Sequence, residues 1–389
     1  MRSDSGKVGV WLVGGRGSVA TTVVAGAAAV GGGLAPATGC VTELPEFRGL
    51  PLPAYGDLVF GGHDVVETPL RKRAEALAGA GVLPQGLVEH VGGELAAAEA
   101  EMRPGAGAGG TVVQGQVARG LAADLEAFRE RHSLDTVVVV NVASTEAAAP
   151  DAPEFATPEA LRRAMEERPD VVPPSSLYAY AAFGAGCPFV DFTPSTGARL
   201  PALAALARAR RVPYAGRDGK TGETLVKSAL APMFARRALR VRSWSGTNLL
   251  GGGDGAALER PEAALSKAGS KQRVIADVLG PSVEGAVHID NVPALGEWKT
   301  AWDHIGFEGF LGTAMTLQFT WQGCDSALAA PLVLDLVRLV SVAHRAGLAG
   351  PLPALGFFFK DPDGDGSQAL DEQYRALLGW VEGLEPTFR

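Results

Sequence analysis

Residues 8–30 read VGVWLVGGRGSVATTVVAGAAAV. The first six are an apolar run bounded by glycines, the pattern of a strand buried on both faces of a parallel sheet. The Ala/Val-rich remainder carries a helix. Between them Gly15-x-Gly17-x-x-Ala20 fits the dinucleotide fingerprint, in which small residues allow a tight turn and bring a pyrophosphate close to a helix N-terminus. Strand, turn and helix in that order predict the first unit of a Rossmann-type sheet. An acidic residue about twenty positions on should read the adenosine ribose. Glu43 in GCVTELPEF has that spacing, and Asp64 ends the next strand-like run, DLVFGGHDV. Spacing alone leaves both open.

Outward from this unit the alternation continues. LDTVVVVNVASTE (134–146) is a buried strand ending in polar residues, where α/β sheets place ligand contacts. PPSSLYAYAAFGAG (173–186) reads as a Pro-started, Ser-capped helix, CPFVDFTPS as a strand, and LPALAALARARRVPYAG as a further helix and strand. MRPGAGAGGT (102–111) reads as a mobile surface loop. After Lys227 the pattern changes: ALRVRSWSGTNLL, AVHIDNVPAL and LGTAMTLQFTWQG are alternating and aromatic, as in a sheet with one open face. DSALAAPLVLDLVRLVSVAHRAG predicts a long amphipathic helix, and LPALGFFFKDP a last strand-like run. The expected architecture is α/β, a doubly wound parallel sheet of Rossmann type over residues 1–225, completed by 335–389, with an inserted α+β domain over 226–334.

Composition narrows the function. A chain of 389 residues is too long for one ordinary core. Its net charge of −8 speaks against a nucleic-acid partner, which calls for clustered positive charge. No apolar run reaches the ~18 to 20 residues of a membrane span. The first strand begins too early to leave room for a signal peptide, and Cys40, Cys187 and Cys324 lack metal-like spacing, so a reducing cytoplasm is expected. The chain has 27 Arg and only 8 Lys, so a lysine hints at a need Arg cannot meet, such as an amine that can release its proton. Lys220, Lys267, Lys271, Lys299 and Lys360 lie near Gly-rich or acidic segments; Lys7, Lys72 and Lys227 read as surface residues. His63 and His304 read as hydrogen-bonded fittings, and Trp298 and Trp302 as packing residues.

The segment GRDGKTGET (216–224) looks at first like a nucleotide-hydrolase phosphate loop. That motif requires a glycine where Tyr214 stands, so the match fails. A Gly-rich turn before a helix still offers free N–H groups to a phosphate.

Together GVWLVGGRGSVATT, FGGHDV, NVASTE, SSLYAYAA, GRDGKTGETLVKSALAPMF, LLGGGDG, SK-x-x-SK, GEWKTAWDH, CDSALAAPL and FFFKDP resemble the myo-inositol-1-phosphate synthase family, most closely its shorter archaeal-type branch, from about residue 8 to about 362. The resemblance implies an NAD-binding Rossmann domain and an inserted catalytic and tetramerisation domain, hence a homotetramer. It implies that NAD is held by Gly14, Gly15, Arg16, Gly17, Ser18, Val19, Asp64, Asn141, Ser144, Thr145, Ser175 and Asp218, which favours Asp64 over Glu43. It makes Lys220, Thr221, Gly222, Glu223 and Thr224 the cradle of a sugar phosphate. Lys267, Lys271, Lys299, Lys360, Asp218, Asp254 and Asp325 become the catalytic set. A divalent or monovalent cation stays open.

The implied reaction is redox-neutral. An open-chain hexose 6-phosphate is oxidised at C5, the acidified C6 attacks a carbonyl of the same chain, and C5 is reduced again. Each stage builds negative charge on a sugar oxygen, which buried ammonium groups stabilise, and clustered lysines depress one another's pKa so that some can move protons. A helix is expected to begin near Lys271, capped by Ser270. Two stretches depart from the family pattern: Thr247 and Gly252 replace a tyrosine and a polar residue, and Gly296-Glu297-Trp298-Lys299 replaces the usual run before the lysine. The six-membered closure of glucose 6-phosphate to 1D-myo-inositol 3-phosphate is the first expectation. A five-membered closure of fructose 6-phosphate and a non-catalytic NAD-binding role are the rivals.

Overall fold

A computed structural model describes residues 6–251 and 274–388. The strands in chain order are β1 (Val8–Val13), β2 (Leu58–Asp64), β3 (Met102–Pro104), β4 (Thr136–Asn141), β5 (Phe189–Asp191), β6 (Pro213–Gly216), β7 (Arg240–Leu250), β8 (Val287–Asn291), β9 (Trp298–Glu308), β10 (Ala314–Cys324) and β11 (Gly350–Pro351). Seven form one sheet in the order β11-β6-β5-β4-β1-β2-β3, and every pairing in it is parallel. The order reverses between β1 and β4, the switch point where such sheets open a ligand crevice beyond the strand ends. The other four form a second sheet, β10-β9-β7-β8.

All six residues of β1 are buried because both of its faces are covered. Val8, Val10 and Leu12 pack in a core that includes helices Ser18–Gly31 and Asp325–Arg345. Trp11 and Val13 pack in the opposite core, with helices Gln114–His132, Pro174–Gly184 and Pro201–Arg210. The second sheet has its own small core of Trp244, Ile305, Val241 and Phe234, while Trp302 on its other face is 42% exposed. Trp298 and Trp302 therefore pack only in part and sit partly in water, Trp298 donating to Ala80 O at 2.9 Å. The boundaries expected at 225 and 334 fall inside helices Glu223–Arg236 and Asp325–Arg345, so the two sheets are joined by continuous helices.

Helix Asp325–Arg345 differs from its amphipathic reading. It is long and apolar enough to cross a membrane by length and composition alone, yet 78% of that window is buried inside the fold, as in a core helix. Its polar side meets protein and not solvent. Asp335 accepts the Val41 and Thr42 N–H groups at 2.6 and 3.1 Å, and Arg338 donates to Thr42, Glu43, Tyr55 and Pro53 at 2.6–3.0 Å. Buried polar groups must be paired in this way, and Glu43 is thereby committed to Arg338.

Three further expectations change. Residues 102–104 of the supposed loop are the edge strand β3, and Ala106–Gly109 border the cleft beside it. Ser175 does not cap helix Pro174–Gly184: the Glu146 carboxylate accepts the Ser175 N–H at 3.0 Å, and the Ser175 hydroxyl accepts Gly197 N–H at 3.1 Å. Most of LPALGFFFKDP is a short 3₁₀ helix, Pro353–Phe358, after which Phe359 bridges to Gly219.

Candidate functional site

The chain leaves β1 through Gly14 at φ 81°. A side chain there would also press to 2.7 Å from the Ala143 backbone, so only glycine serves. Helix Ser18–Gly31 then starts with no side-chain cap and no acidic residue in its first turn, which leaves its N–H groups and positive dipole end for an anion. Asp64 closes β2 beside it, accepting the Arg16 N–H at 2.7 Å and the Val66 N–H at 2.8 Å. Gly14, Arg16, Gly17, Asp64, Ser144 and Thr145 border a cleft of about 870 Å³. This suits an extended dinucleotide, with the pyrophosphate at the helix end and the adenosine ribose at Asp64.

Not all of the expected cofactor residues reach the cleft. Gly15 backs onto Met102. Ser175 is buried beneath it, tied to Glu146 and Gly197. Asn141 lies under it too, donating to Asp191 at 3.1 Å and to Thr193 at 3.2 Å. Burial pushes the Asp191 carboxyl up to about 7. Ser18 donates to Glu297 at 3.2 Å, and Val19 faces the neighbouring chamber.

That chamber, about 120 Å³, shares Val142, Ala143 and Thr145 with the cleft. One wall is the turn from β6 into helix Glu223–Arg236, with Asp218, Thr221, Gly222, Glu223 and Thr224; the others bring Asn248, Lys299, Asp325 and Lys360. The turn is held by an antiparallel clasp with the segment after the 3₁₀ helix. Lys220 N–H donates to Phe358 O at 2.8 Å, Lys360 N–H to Asp218 O at 2.7 Å and Arg217 N–H to Asp361 O at 2.8 Å. Side chains reinforce it: Lys360 Nζ meets Asp218 Oδ1 at 2.7 Å, and Asp361 receives Arg199 and Arg217 at 2.8 and 2.9 Å. Across the chamber Lys299 pairs with Asp325, which also accepts the Thr221 hydroxyl at 2.9 Å. Two ammonium groups are thus presented, each oriented by a carboxylate. The helix end beside them has no side-chain cap, and the buried Thr224 hydroxyl has no hydrogen-bond partner among the described residues. An anion with several acceptor oxygens would satisfy both.

Two lysines are placed differently from their sequence readings. Lys220 does not border the chamber; its amine donates to Gln373 on helix Leu370–Leu384. Burial, and then the charge of Lys360, push it down to about 7. Lys227, read as a surface residue, is fully buried. It pairs with Glu223 one turn earlier and lies 3.4 Å from Asp303, which also accepts the Trp244 indole N–H at 2.8 Å. Burial, with Glu223 adding to it, pushes the Asp303 carboxyl up to about 6 against the pull of Lys227. The Glu223 to Lys227 spacing was the one available signal of this buried pair. Lys267, Lys271, Asp254, Gly252 and the expected cap Ser270 lie outside the described residues.

His63 is the hydrogen-bonded fitting expected, accepting from Trp11 at 2.8 Å and lying 3.0 Å from Asp124. Among the described residues no three His, Cys, Asp or Glu side chains gather as a metal site. Thr247 sits on the face of β7 opposite Asn248 and Leu250, which border the chamber, so its substitution does not touch the chamber wall.

An uncapped helix beside a strand-end acid at a sheet switch point, opening into a chamber bordered by Lys299 and Lys360, defines a dinucleotide-binding protein of the Rossmann class. A family model described as myo-inositol-1-phosphate synthase, of NAD-binding type, matches residues 8–381, and the chain belongs to that family. Inositol-3-phosphate synthase 1 of Bacteroides thetaiotaomicron is 34% identical, over 93% of this chain and 91% of its own. The Macaca fascicularis enzyme of the same name is 32% identical over 80% of this chain, which spans 61% of that longer protein. Among solved structures, inositol-3-phosphate synthase of Caenorhabditis elegans superposes with a TM-score of 0.86 at 23% identity, covering 98% of this chain and 86% of its own. A myo-inositol-1-phosphate synthase-related protein of Thermotoga maritima gives 0.77 at 24%, covering 97% and 98%. These two show the same fold.

Proposed function

We propose that this chain is an NAD-dependent cyclase that converts glucose 6-phosphate to 1D-myo-inositol 3-phosphate with no net oxidation. The observation that carries the reading is the direct junction of the dinucleotide cleft with a chamber in which Lys360–Asp218 and Lys299–Asp325 face an uncapped helix end. Family membership and the named relatives agree with it.

Residues Thr221–Thr224 hold the sugar phosphate, using the helix N–H groups and the Thr224 hydroxyl. Gly14, Arg16, Gly17, Asp64, Ser144 and Thr145 hold NAD, which supplies a reversible hydride acceptor for one sugar carbon. Lys360 and Lys299 stabilise the oxyanions that develop on the sugar, and Asp218 and Asp325 hold their amines in place. Lys267, Lys271 and Asp254 are assigned to the same chemistry by family resemblance alone. A ketose phosphate would close a five-membered ring with the same groups, but Thr247 lies away from the chamber wall, so the aldose is the substrate supported best.

Incubating the protein with NAD and glucose 6-phosphate and identifying the product by NMR tests the reading. Inositol phosphate is expected. A cyclised product from fructose 6-phosphate alone, or no product from either sugar, would overturn it.

The active form is proposed to be a homotetramer. Phe310 and Leu311, 88% and 87% exposed, and the open face around Trp302 supply apolar surface for a second copy; a monomeric mass by light scattering would refute this. A cytoplasmic setting accords with Cys40, Cys187 and Cys324 being free buried thiols.

A further inference from the structure

Arg16 presents a contradiction within the cofactor cleft. It stands in the Gly-rich turn next to Asp64, where a guanidinium is the group that receives the 2′-phosphate of NADP in a Rossmann site, whereas an acid at the strand end selects the free ribose of NAD. This chain has both. Its backbone N–H holds Asp64 Oδ2 at 2.7 Å, so the two readers are neighbours.

The guanidinium, however, is already engaged. Nη2 and Nε donate to the same oxygen of Glu99, at 2.6 and 3.2 Å, and Nη1 donates to the Val66 carbonyl at 3.1 Å. Glu99 is itself anchored: its second oxygen accepts the Leu70 N–H at 2.9 Å, at the start of helix Leu70–Gly79. Swinging away from Arg16 would cost this carboxylate both a charge-assisted pair and a helix-end hydrogen bond. The side chains are partly shielded, 15% exposed for Arg16 and 31% for Glu99, so the pair is less weakened by water than a surface pair. Asp64, Arg16 and Glu99 together carry one net negative charge where a 2′-phosphate would sit.

We infer that Glu99 is a specificity-determining residue: by occupying Arg16 it denies NADP the cation its 2′-phosphate needs, leaving Asp64 to the ribose hydroxyls of NAD. The inference rests on the proposed NAD cleft. Glu99 touches no substrate and acts through Arg16. Arg73 also borders the cleft, so the test must separate the two arginines.

NADH and NADPH are titrated into the full-length protein, with dissociation constants read from nicotinamide fluorescence or calorimetry. The parent should prefer NADH. Glu99→Gln keeps the size of the side chain and the acceptor for Leu70 but removes the charge. It should shift the preference toward NADPH by roughly tenfold or more, the scale of one new charge-assisted pair between Arg16 and the 2′-phosphate. Adding Arg16→Ala to that variant should abolish the shift. Glu99→Ser, which also releases Leu70, should move the preference the same way and keeps the test decisive if Glu99→Gln folds poorly. Binding of NADH with a ratio within twofold of the parent in both Glu99 variants would overturn the inference and leave the cleft assignment intact. A shift that survives Arg16→Ala would assign it to Arg73 and also overturn it. A parent that binds neither dinucleotide would remove the cleft assignment itself and this inference with it.

Discussion

On one side of the turn from β6 into helix Glu223–Arg236, Lys220 reaches the C-terminal helix and is met by the neutral amide of Gln373. On the other side Lys227 reaches the second sheet and is met by Glu223 and Asp303. Both amines are buried, but the cost of burial falls on different groups. Around Lys220 it falls on the amine, which is pushed down to about 7. Around Lys227 it falls on the surplus carboxylate, and Asp303 is pushed up to about 6. The first region sheds its charge near neutral pH by losing a proton, the second only by gaining one. A buried lysine is therefore neither structural nor reactive by itself; its partners decide.

The contrast can be broken most forcefully at Lys227. Lys227→Met leaves two buried carboxylates uncompensated and should cost about 3–5 kcal/mol, read from urea unfolding; a loss below about 1 kcal/mol would mean the network is not closed. Next in size, Lys360→Ala should lower turnover by roughly 10²–10³; because it also takes the Lys360 partner from the buried Asp218 carboxylate, turnover is read well below the variant's own unfolding midpoint, and unchanged turnover would refute its assignment.

Lys220→Met is expected to act through pH. Below about pH 7 folded and unfolded chains both hold the Lys220 proton and its burial cost is fully present. Between about 7 and the ordinary lysine value of 10.5 the unfolded chain holds more protons, so stability rises with pH, by at most roughly 1.4 kcal/mol per unit. The variant should flatten that rise, and an unaltered profile from about pH 7 to about pH 9 would show that the amine is not held down.

The smallest effect is expected at Arg236. Its pairs with Asp371 and Glu372 tie the end of helix Glu223–Arg236 to helix Leu370–Leu384 in water, so Arg236→Ala should leave the unfolding midpoint within error of the parent. A marked drop would show that pairing, and not burial, sets the cost.

The strand, turn and helix that open the cleft are legible in the sequence because their information is contiguous. β1, the turn through Gly14 and the helix after it occupy one unbroken stretch, whereas Asp64 is separated from Glu43 by the resemblance and not by spacing. The chamber is legible as a set of motifs but not as a geometry. Periodicity shows that β7 alternates without showing which phase faces inward, so sequence alone does not reveal that Asn248 and Leu250 border the chamber while Thr247 turns away. Lys227 reads as surface because Asp303 comes from a distant strand. Helix Asp325–Arg345 reads as amphipathic because its polar side faces Thr42, Glu43 and Tyr55 and not water. The aromatic run Phe357–Phe359 has strand-like composition, yet only two residues, Gly350–Pro351, join the sheet edge there.

The clasp between the Arg217–Lys220 turn and Phe358–Asp361 joins groups 142 positions apart at Lys360 and Asp218. Everything bordering the dinucleotide cleft precedes that late segment in the chain. Among the described residues the cleft is thus bordered by residues 13–178 alone, whereas Lys360 stands in the chamber through the clasp that joins the two distant segments. Dinucleotide binding therefore probes the early part of the polypeptide, and turnover probes its far end as well.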